Sequence, residues 1–274
     1  MADGAWTGPV ETVAAPAEAT HMVAGRVIVV CDHASNAVPP GIDLELAPGE
    51  MGRHIAWDPG ARGVTLGLAR ALGAEAVLTT FSRLVIDPNR GEDDPTLVMR
   101  LYDGTIIPGN AVADAAEVGR RLEAFHRPYH NAIATRLDAL LAAGQVPVIV
   151  SIHSFTPQLR GRAERPWHVG LLSDTDRRVT DRLLPALARQ RLACGTPLCL
   201  GDNEPYTGQL AGDCMNTHGT RRGIAHVLVE VRNDLIATAA GEAEWAGRLA
   251  DALAEALPPA ETDTLRPAPP AAGR

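Results

Sequence analysis

Residues 26–31 have the sequence RVIVVC, an uninterrupted apolar run typical of a strand that is buried on both faces of a sheet. Two further runs of this kind follow, VPVIVSI at 146–152 and AHVLVEV at 225–231. Segments with helical spacing lie between them, most clearly at 60–72 and 112–143. Alternation of buried strands and helices is typical of α/β proteins. The sequence therefore predicts an α/β sheet with helices on both faces.

Shorter elements are predicted between these runs. Strands are expected at 75–79, 81–86 and 168–172, and helices at 175–190 and 241–256. Gly144 is a suitable residue to end the long helical stretch that precedes the second buried run.

The two ends of the chain lack hydrophobic periodicity. Residues 1–24 are rich in Ala, Gly, Pro, Thr and Glu, and residues 258–274 contain prolines that prevent a continuing helix. We therefore expect a disordered N-terminal segment over 1–24, a single α/β domain over 25–257 and a disordered tail over 258–274.

Composition excludes several classes of function. A chain of 274 residues with a formal net charge of −8 is a poor candidate for binding nucleic acid or an anionic membrane, and we predict neither as a partner. All 25 basic residues are arginine, which excludes lysine Schiff-base chemistry and a Walker A lysine. No apolar run reaches the length of a membrane span, and no secretory signal is recognisable. Four cysteines without a CxxC pair favour a reducing, cytoplasmic setting.

Polar residues follow the predicted buried strands. His33 comes after the first apolar run and His153 after the second. Because ligands of α/β proteins collect at the carboxyl ends of the strands, the two side chains are expected near each other. Two imidazoles and a carboxylate form an open zinc site. A histidine at a strand end is also a common structural hydrogen-bonding group, so both interpretations stay open.

A carboxylate also lies in the third apolar run. Glu230 has apolar neighbours, and burying a carboxylate without a partner is costly. One interpretation is a general base with a raised pKa, which acts on water held by a metal. The other is a salt bridge to Arg232 or to another arginine.

The motif Asp-Pro-Asn-Arg at 87–90 combines a rigid turn with an amide and a guanidinium. Arg90 can hold a substrate carboxylate through two hydrogen bonds, and Asn89 can add another. The alternative is a surface turn with an Asp–Arg pair.

Other candidates have weaker patterns. Asp58 precedes a predicted helix, where it can serve as an N-cap or as a third metal ligand. His126 and His130 have i, i+4 spacing without a following Glu, which favours packing or support of a site over direct metal binding. His218 can donate to an oxyanion or have no role in the reaction.

Seven segments together resemble the N-formylglutamate amidohydrolase family. They occur in the family's order between residues 31 and 236, and they are CDHASNAVP, HIAWDPGA, SRLVIDPNR, HRPYH, SIHSFTP, DNEPY and HVLVEVRNDLI. This family is similar in turn to the zinc carboxypeptidase and aspartoacylase enzymes. The resemblance implies a mixed, mostly parallel sheet in a phosphorylase/hydrolase-like fold.

The resemblance also implies a metal site for zinc or another divalent transition metal. His33 matches the first ligand of the carboxypeptidase pattern and His153 matches the second. The glutamate of the HxxE motif is replaced here by Asn36, and a neutral amide is a poor zinc ligand. We expect Asp58 to be the third ligand in its place.

The reaction implied by the resemblance is hydrolysis of an N-acyl amide. The type substrate is N-formyl-L-glutamate, which gives formate and glutamate by attack of metal-bound water, with Glu230 as the base and Asn89 and Arg90 as the carboxylate clamp. His218 or an arginine would stabilise the oxyanion. Further substrate contacts are expected from Arg83, Ser154 and Arg232, and the candidates for a second carboxylate are Arg83, Arg100, Arg221 and Arg232.

Two other functions compete with this one. The first is an amidase or peptidase that acts on another N-acyl compound or on a larger substrate. The second is a ligand-binding protein that keeps Arg90 and has lost the metal, for which the replacement at Asn36 is the argument.

Overall fold

The computed structural model describes residues 6–21, 26–257 and 264–267. Its strands are β1 Val10–Val13, β2 Val27–Cys31, β3 Glu75–Thr79, β4 Leu101–Tyr102, β5 Thr105–Ile106, β6 Val148–Phe155, β7 Val169–Leu172, β8 Leu200–Asp202 and β9 Ala225–Arg232. Its helices are α1 Ala61–Leu72, α2 Pro108–Ala111, α3 Ala115–Arg121, α4 Arg127–Ala142, α5 Thr180–Ala188, α6 Cys214–His218 and α7 Ala239–Ala256. A π-helical turn, Leu122–His126, joins α3 to α4.

Seven strands form one sheet in the order β1-β3-β2-β6-β9-β7-β8. The four strands β3, β2, β6 and β9 are parallel neighbours, and β8 is parallel to β7. Only the pairs β1–β3 and β7–β9 are antiparallel among these described strands. The mixed, mostly parallel sheet expected from the resemblance is therefore confirmed.

Helices cover both faces of the sheet, as predicted. Val27 and Val29 of β2 pack in an apolar cluster with α1, α5 and α7. Ile28 and Val30, which alternate with them, pack in a second cluster with α4 and α6. This alternation follows from the two-residue period of a strand and explains why every residue of β2 is apolar.

The strand predicted at 81–86 is wrong. The segment is a buried turn in which Ser82 Oγ donates to the carbonyl of Ala56 at 2.7 Å and accepts from the backbone N–H of Leu84 at 3.1 Å. Short polar side chains can replace ladder hydrogen bonds with local ones, and this favours a turn. A strand was expected here because the sequence of the segment is mostly apolar.

The prediction of disorder over 1–24 is wrong at Val10–Val13. This segment pairs antiparallel with β3, with Val10 opposite Thr79 and Val13 opposite Ala76. Without it β3 would be an unpaired edge, and pairing satisfies those backbone groups. Residues 1–5 and 22–24 of the predicted segment lie outside the described residues.

The predicted disordered tail also has a segment attached to the protein body. In residues 264–267, Arg266 N–H donates to the carbonyl of Gly223 at 2.9 Å, and Arg178 donates to the carbonyl of Thr264. Residues 258–263 and 268–274 lie outside the described part. Among the described helices, none combines the length and the apolar character needed to cross a membrane.

Candidate metal and substrate site

A cavity of about 390 Å³ lies where β2, β6 and β9 end. His33 follows β2, His153 lies in β6 and Glu230 lies in β9, and all three line the cavity. His153 and Glu230 are directly opposite each other in the register of β6 and β9. Side chains opposite each other in neighbouring strands lie on one face of the sheet, so the fold brings these groups together.

His33, Asp58 and His153 form a buried group that could hold a metal ion. One ligand atom from each lies within 4.8 Å of the other two. Asp58 Oδ2 is 3.3 Å from His33 Nδ1 and 2.9 Å from His153 Nδ1. The two imidazole rings meet edge to face, with centroids 4.9 Å apart.

Two further carboxylates hold the opposite nitrogens of these rings. His33 Nε2 is 2.7 Å from Asp87 Oδ1, and His153 Nε2 is 2.8 Å from Asp32 Oδ2. An imidazole that donates its Nε2 hydrogen to a carboxylate presents the lone pair of Nδ1 on its other side. Metal-binding histidines are commonly oriented and made more basic in this way. The donor set therefore fits a divalent cation.

The charges around this group also favour a cation. Burial alone would raise the pKa of the carboxyl groups of Asp32, Asp58 and Asp87. All three pKa values nevertheless lie below their usual range, because histidines and Arg83 surround these groups. Burial would lower the pKa of His153, but the hydrogen bonds that its ring donates to the carboxylates of Asp32 and Asp58 raise it. Arg83 and a proton on His153 neutralise part of the negative charge of the three carboxylates, and a divalent ion at Nδ1 would take the place of that proton.

Asp58 is not the N-cap of α1. The N-cap residue is Gly60, and no side chain caps this end of the helix. Its carboxylate instead accepts from the backbone N–H of Ser154 at 3.2 Å and lies 3.5 Å from Arg83 Nη1. Asn36 is turned to another partner, since its Nδ2 donates to the carbonyl of Met51 at 2.7 Å. Asp58 lies in the group, whereas Asn36 does not line the cavity.

Glu230 is buried, and its Oε2 has no hydrogen-bond partner among the described residues. Burial is the main cause that raises its pKa, to about 7. The alternative of a salt bridge to Arg232 is not observed, because the guanidinium of Arg232 pairs with Asp234 at 2.8 Å. An unpartnered carboxylate beside a metal-binding group is suited to general-base chemistry.

Asn89 and Arg90 both line the cavity. Asp87 and the start of α6 fix Asn89, whose N–H donates to Asp87 Oδ1 at 2.9 Å and whose Oδ1 accepts from Cys214 N–H at 3.2 Å. Arg90 donates to the carbonyl of Asn89 at 2.7 Å and to Thr96 Oγ1 at 3.2 Å. Arg90 has no ion pair with a carboxylate within the described ranges.

Arg83 and Ser154, predicted to contact the substrate, both line the cavity, and both side chains have protein partners. Arg83 donates to Asp87 Oδ2 from Nε at 3.1 Å and from Nη2 at 2.8 Å. Ser154 Oγ donates to the carbonyl of Pro59 at 2.9 Å.

His218 and Arg232 do not line the cavity. His218 lies at the end of α6, and its Nε2 is 2.9 Å from Nδ1 of His130 on α4. Because α6 turns this side chain toward α4, the structure does not bring His218 together with the metal-binding group. Arg232, predicted to contact the substrate, donates to Asp234 at 2.8 Å outside the cavity.

The supporting roles of Asp32 and Asp87 were not predicted from the sequence. Both occur in quoted motifs beside His33 and Asn89, and that adjacency was the available signal. Several residues of the cavity wall were also missed, among them His54, Tyr102, Tyr206 and Asp213.

Several known proteins are similar to this chain. A gene product of Agrobacterium tumefaciens with a crystal structure is 34% identical, with a TM-score of 0.81 over 91% of this chain and 95% of that one. An N-formylglutamate amidohydrolase from Ralstonia eutropha JMP134 is 21% identical, with a TM-score of 0.62 over 90% and 96%, and shares the fold. An N-formylglutamate deformylase of Pseudomonas putida is 39% identical over 82 residues, 26% of this chain.

The match to the deformylase spans 31% of that protein's own length, about a third of it. The model of the N-formylglutamate amidohydrolase family, by contrast, matches residues 25–237, from the residue before the first core segment to the turn after β9. Because this match covers well over half of the sequence, the chain belongs to the N-formylglutamate amidohydrolase family.

Proposed function

We propose that the protein is a metal-dependent amidohydrolase that removes the formyl group of an N-formyl amino acid, with N-formyl-L-glutamate as the type substrate. One observation carries the proposal. Two histidines, each supported by a carboxylate at Nε2, direct Nδ1 toward Asp58 beside the unpartnered carboxylate of Glu230. A protein that only bound its ligand would have no need of this combination.

His33, Asp58 and His153 would hold the metal. Zinc is our choice because imidazoles and a carboxylate are its usual ligands in catalytic sites, and another divalent transition metal would suit the same donors. When bound, such an ion polarises a carbonyl and lowers the pKa of water. Asp32 and Asp87 keep the two rings in the orientation that the site requires.

Glu230 takes the proton from the attacking water and delivers it to the amine that leaves. Its pKa, raised to about 7, is well matched to both steps near neutral pH. Arg83 replaces His218 as the candidate for stabilising the oxyanion, since it lines the cavity next to Asp58.

Arg90 holds one substrate carboxylate, since it is a cation of the cavity wall without an ion-pair partner among the described residues. Asn89 is next to Arg90 in the sequence. Its backbone N–H and its side-chain oxygen are already hydrogen-bonded to Asp87 and Cys214. A substrate held in this way reacts in an effectively unimolecular step. A cytoplasmic location, favoured by the cysteine pattern, is part of the proposal.

The test is formate release from N-formyl-L-glutamate by the purified protein. The Glu230→Gln variant is expected to keep its metal and to lose about 10²- to 10⁴-fold in kcat, because it has lost the base. Glu164→Gln, at an exposed glutamate, is the matched control and is expected to behave as the unmodified protein. Absence of formate release by protein with bound metal, or full kcat in Glu230→Gln, would contradict the proposal.

A further inference from the structure

A dicarboxylic substrate requires more positive charge than Arg90 supplies. N-formyl-L-glutamate carries two carboxylates, and each needs a cationic or strongly donating partner when it leaves water. The arginines first considered for the second carboxylate are not available for it. Arg83 is paired with Asp87 and Arg232 with Asp234. Arg100 and Arg221 are exposed, and within the described ranges they neither line the cavity nor donate to a residue that does.

Arg165, in the connection between β6 and β7, contacts the cavity wall directly. Its Nη1 donates to the hydroxyl of Tyr206 at 2.9 Å and to the carbonyl of Thr156 at 3.2 Å. Its guanidinium carbon lies 4.9 Å from the ring centroid of Tyr206 and 5.8 Å from that of Phe155. Tyr206, Thr156 and Phe155 all line the cavity.

The backbone of Arg165 is fixed on both sides. Its N–H donates to the carbonyl of Pro157 at 2.8 Å, and its own carbonyl accepts from Arg232 Nη1 at 3.4 Å. The two aromatic contacts hold the guanidinium plane as well. A cation held by its backbone and by flanking rings loses little freedom when a ligand arrives, which favours binding.

The charge of Arg165 has no carboxylate partner within the described ranges. Both of its side-chain hydrogen bonds come from Nη1, so Nε and Nη2 donate to no described residue. Tyr206 accepts from Arg165 with its oxygen, and its own hydroxyl hydrogen stays available as a donor. The guanidinium of Arg165 does not itself line the cavity but lies against the lining residues Tyr206, Thr156 and Phe155. A phenol of the wall and a guanidinium directly behind it form a pair of donors for one carboxylate.

We propose that Arg165, together with the hydroxyl of Tyr206, binds the second carboxylate of the substrate and selects N-formyl dicarboxylic amino acids over neutral ones. This inference rests on the proposed function. Arg90 and Arg165 then share the two carboxylates, and the formyl group lies between them at the metal-binding residues.

The test compares N-formyl-L-glutamate with N-formyl-L-glutamine, which has nearly the same size and lacks the second charge. Arg165→Met is expected to lower kcat/KM for the glutamate substrate about 10- to 100-fold, since a charged hydrogen bond is lost. The value for the glutamine substrate is expected to stay the same. Arg162→Met, at an exposed arginine of the same connection, is the control, and Arg165→Lys is expected to restore part of the preference.

A second measurement keeps this inference separate from the proposed reaction. Calorimetry in the Glu230→Gln background reports the affinity for the same two compounds without turnover. Tighter binding of the glutamate compound that disappears with Arg165→Met supports the role of Arg165, even if no formate is released. Equal effects of Arg165→Met on both compounds, or no effect on either, would overturn it. Loss of formate release alone overturns only the proposed function.

Discussion

Asp58 is the residue on which the candidate metal group depends. Its Oδ2 faces Nδ1 of both histidines, and its Oδ1 lies near Arg83. One carboxylate therefore joins two side chains that follow different strands. Without its negative charge the two Nδ1 atoms would have no shared anionic partner.

Replacement of Asp58 by Asn is expected to weaken metal binding by at least about 10- to 100-fold, which is the effect of losing even a supporting carboxylate. The change preserves size and removes the charge. Titration of the metal against a competing chelator measures the affinity. Asp174→Asn, at a cavity-lining carboxylate outside the group, is the control. Full affinity in Asp58→Asn would show that the third ligand is another residue.

Replacement of Arg90 by Ala is expected to raise KM for N-formyl-L-glutamate about 10- to 100-fold with a smaller change in kcat. The guanidinium binds a carboxylate that is distant from the bond being broken, so substrate and transition state lose the same contact. Steady-state kinetics of formate release provide both constants, with Arg100→Ala at an exposed position as the control. An unchanged KM would place the clamp elsewhere.

At the scale of elements, three histidines join α4 and α6 to the turn that carries Asn89 and Arg90. His126 Nε2 lies 3.0 Å from the carbonyl of Arg90, and His130 Nε2 lies 2.9 Å from the carbonyl of Pro88. His218 stacks on His130 and bonds to its Nδ1. The histidines thus hold the backbone on both sides of Asn89 from behind the cavity.

Because of these histidines, we expect the free energy of unfolding to decrease in acid. Burial lowers the pKa of His130 to about 4 and that of His218 to about 3, whereas the unfolded chain protonates histidine near pH 6.5. As pH falls below about 6.5, the unfolded state binds more protons and the free energy of unfolding decreases. At pH 5 the loss is about 2 kcal/mol for each imidazole.

His218→Gln keeps an amide donor for His130 and removes one titrating group. The difference in the free energy of unfolding between pH 8 and pH 5, from urea denaturation, is expected to be smaller in this variant by about 2 kcal/mol. His21→Gln, at a histidine paired with exposed Asp251, is the control. An identical pH dependence in His218→Gln and the unmodified protein would contradict this explanation.

The long elements could be predicted because their residues alternate or remain apolar over many positions. The strand Glu75–Thr79 and the helix Ala61–Leu72 lie where the pattern placed them. The strands β4, β5 and β8 have only two or three residues, too few to show a period. The segment 81–86 is as apolar as a strand, but the hydrogen bonds of Ser82 make it a turn.

At the scale of the whole molecule, the core and the candidate site use different parts of the same sheet. The largest cluster packs β2, β6 and β9 against α1, α5 and α7, whereas the cavity lies beyond the carboxyl ends of these strands. Changes in that cluster are therefore expected to affect stability before they affect the reaction.

Trp245 of α7 is 1% exposed and is the largest fully buried side chain. Trp245→Ala is expected to reduce the free energy of unfolding by about 3–5 kcal/mol through loss of buried area and formation of a cavity. Denaturation measures the loss, and kcat/KM of the folded fraction is expected to stay the same. Val112→Ala, at an exposed valine, is the control. A loss below 1 kcal/mol would contradict the packing described for this face.

The same organisation explains how much of the site could be predicted. His33, His153 and Glu230 follow or lie in buried strands, and parallel strands bring their ends together. The contacts of Asp32 and Asp87 with Nε2 depend on side-chain orientation, which no local pattern encodes. The position of His218 depends on the direction of α6, on which a suitable residue type in a polar segment carries no information.

The most direct test of the metal-dependent account is formate release from N-formyl-L-glutamate, measured together with metal content before and after chelation and after zinc is added back. We expect about one metal ion per chain, loss of activity with the metal, and recovery of both with zinc, while His153→Ala recovers neither. Activity that persists in metal-free protein would contradict the central claim that His33, Asp58 and His153 hold a metal on which hydrolysis depends.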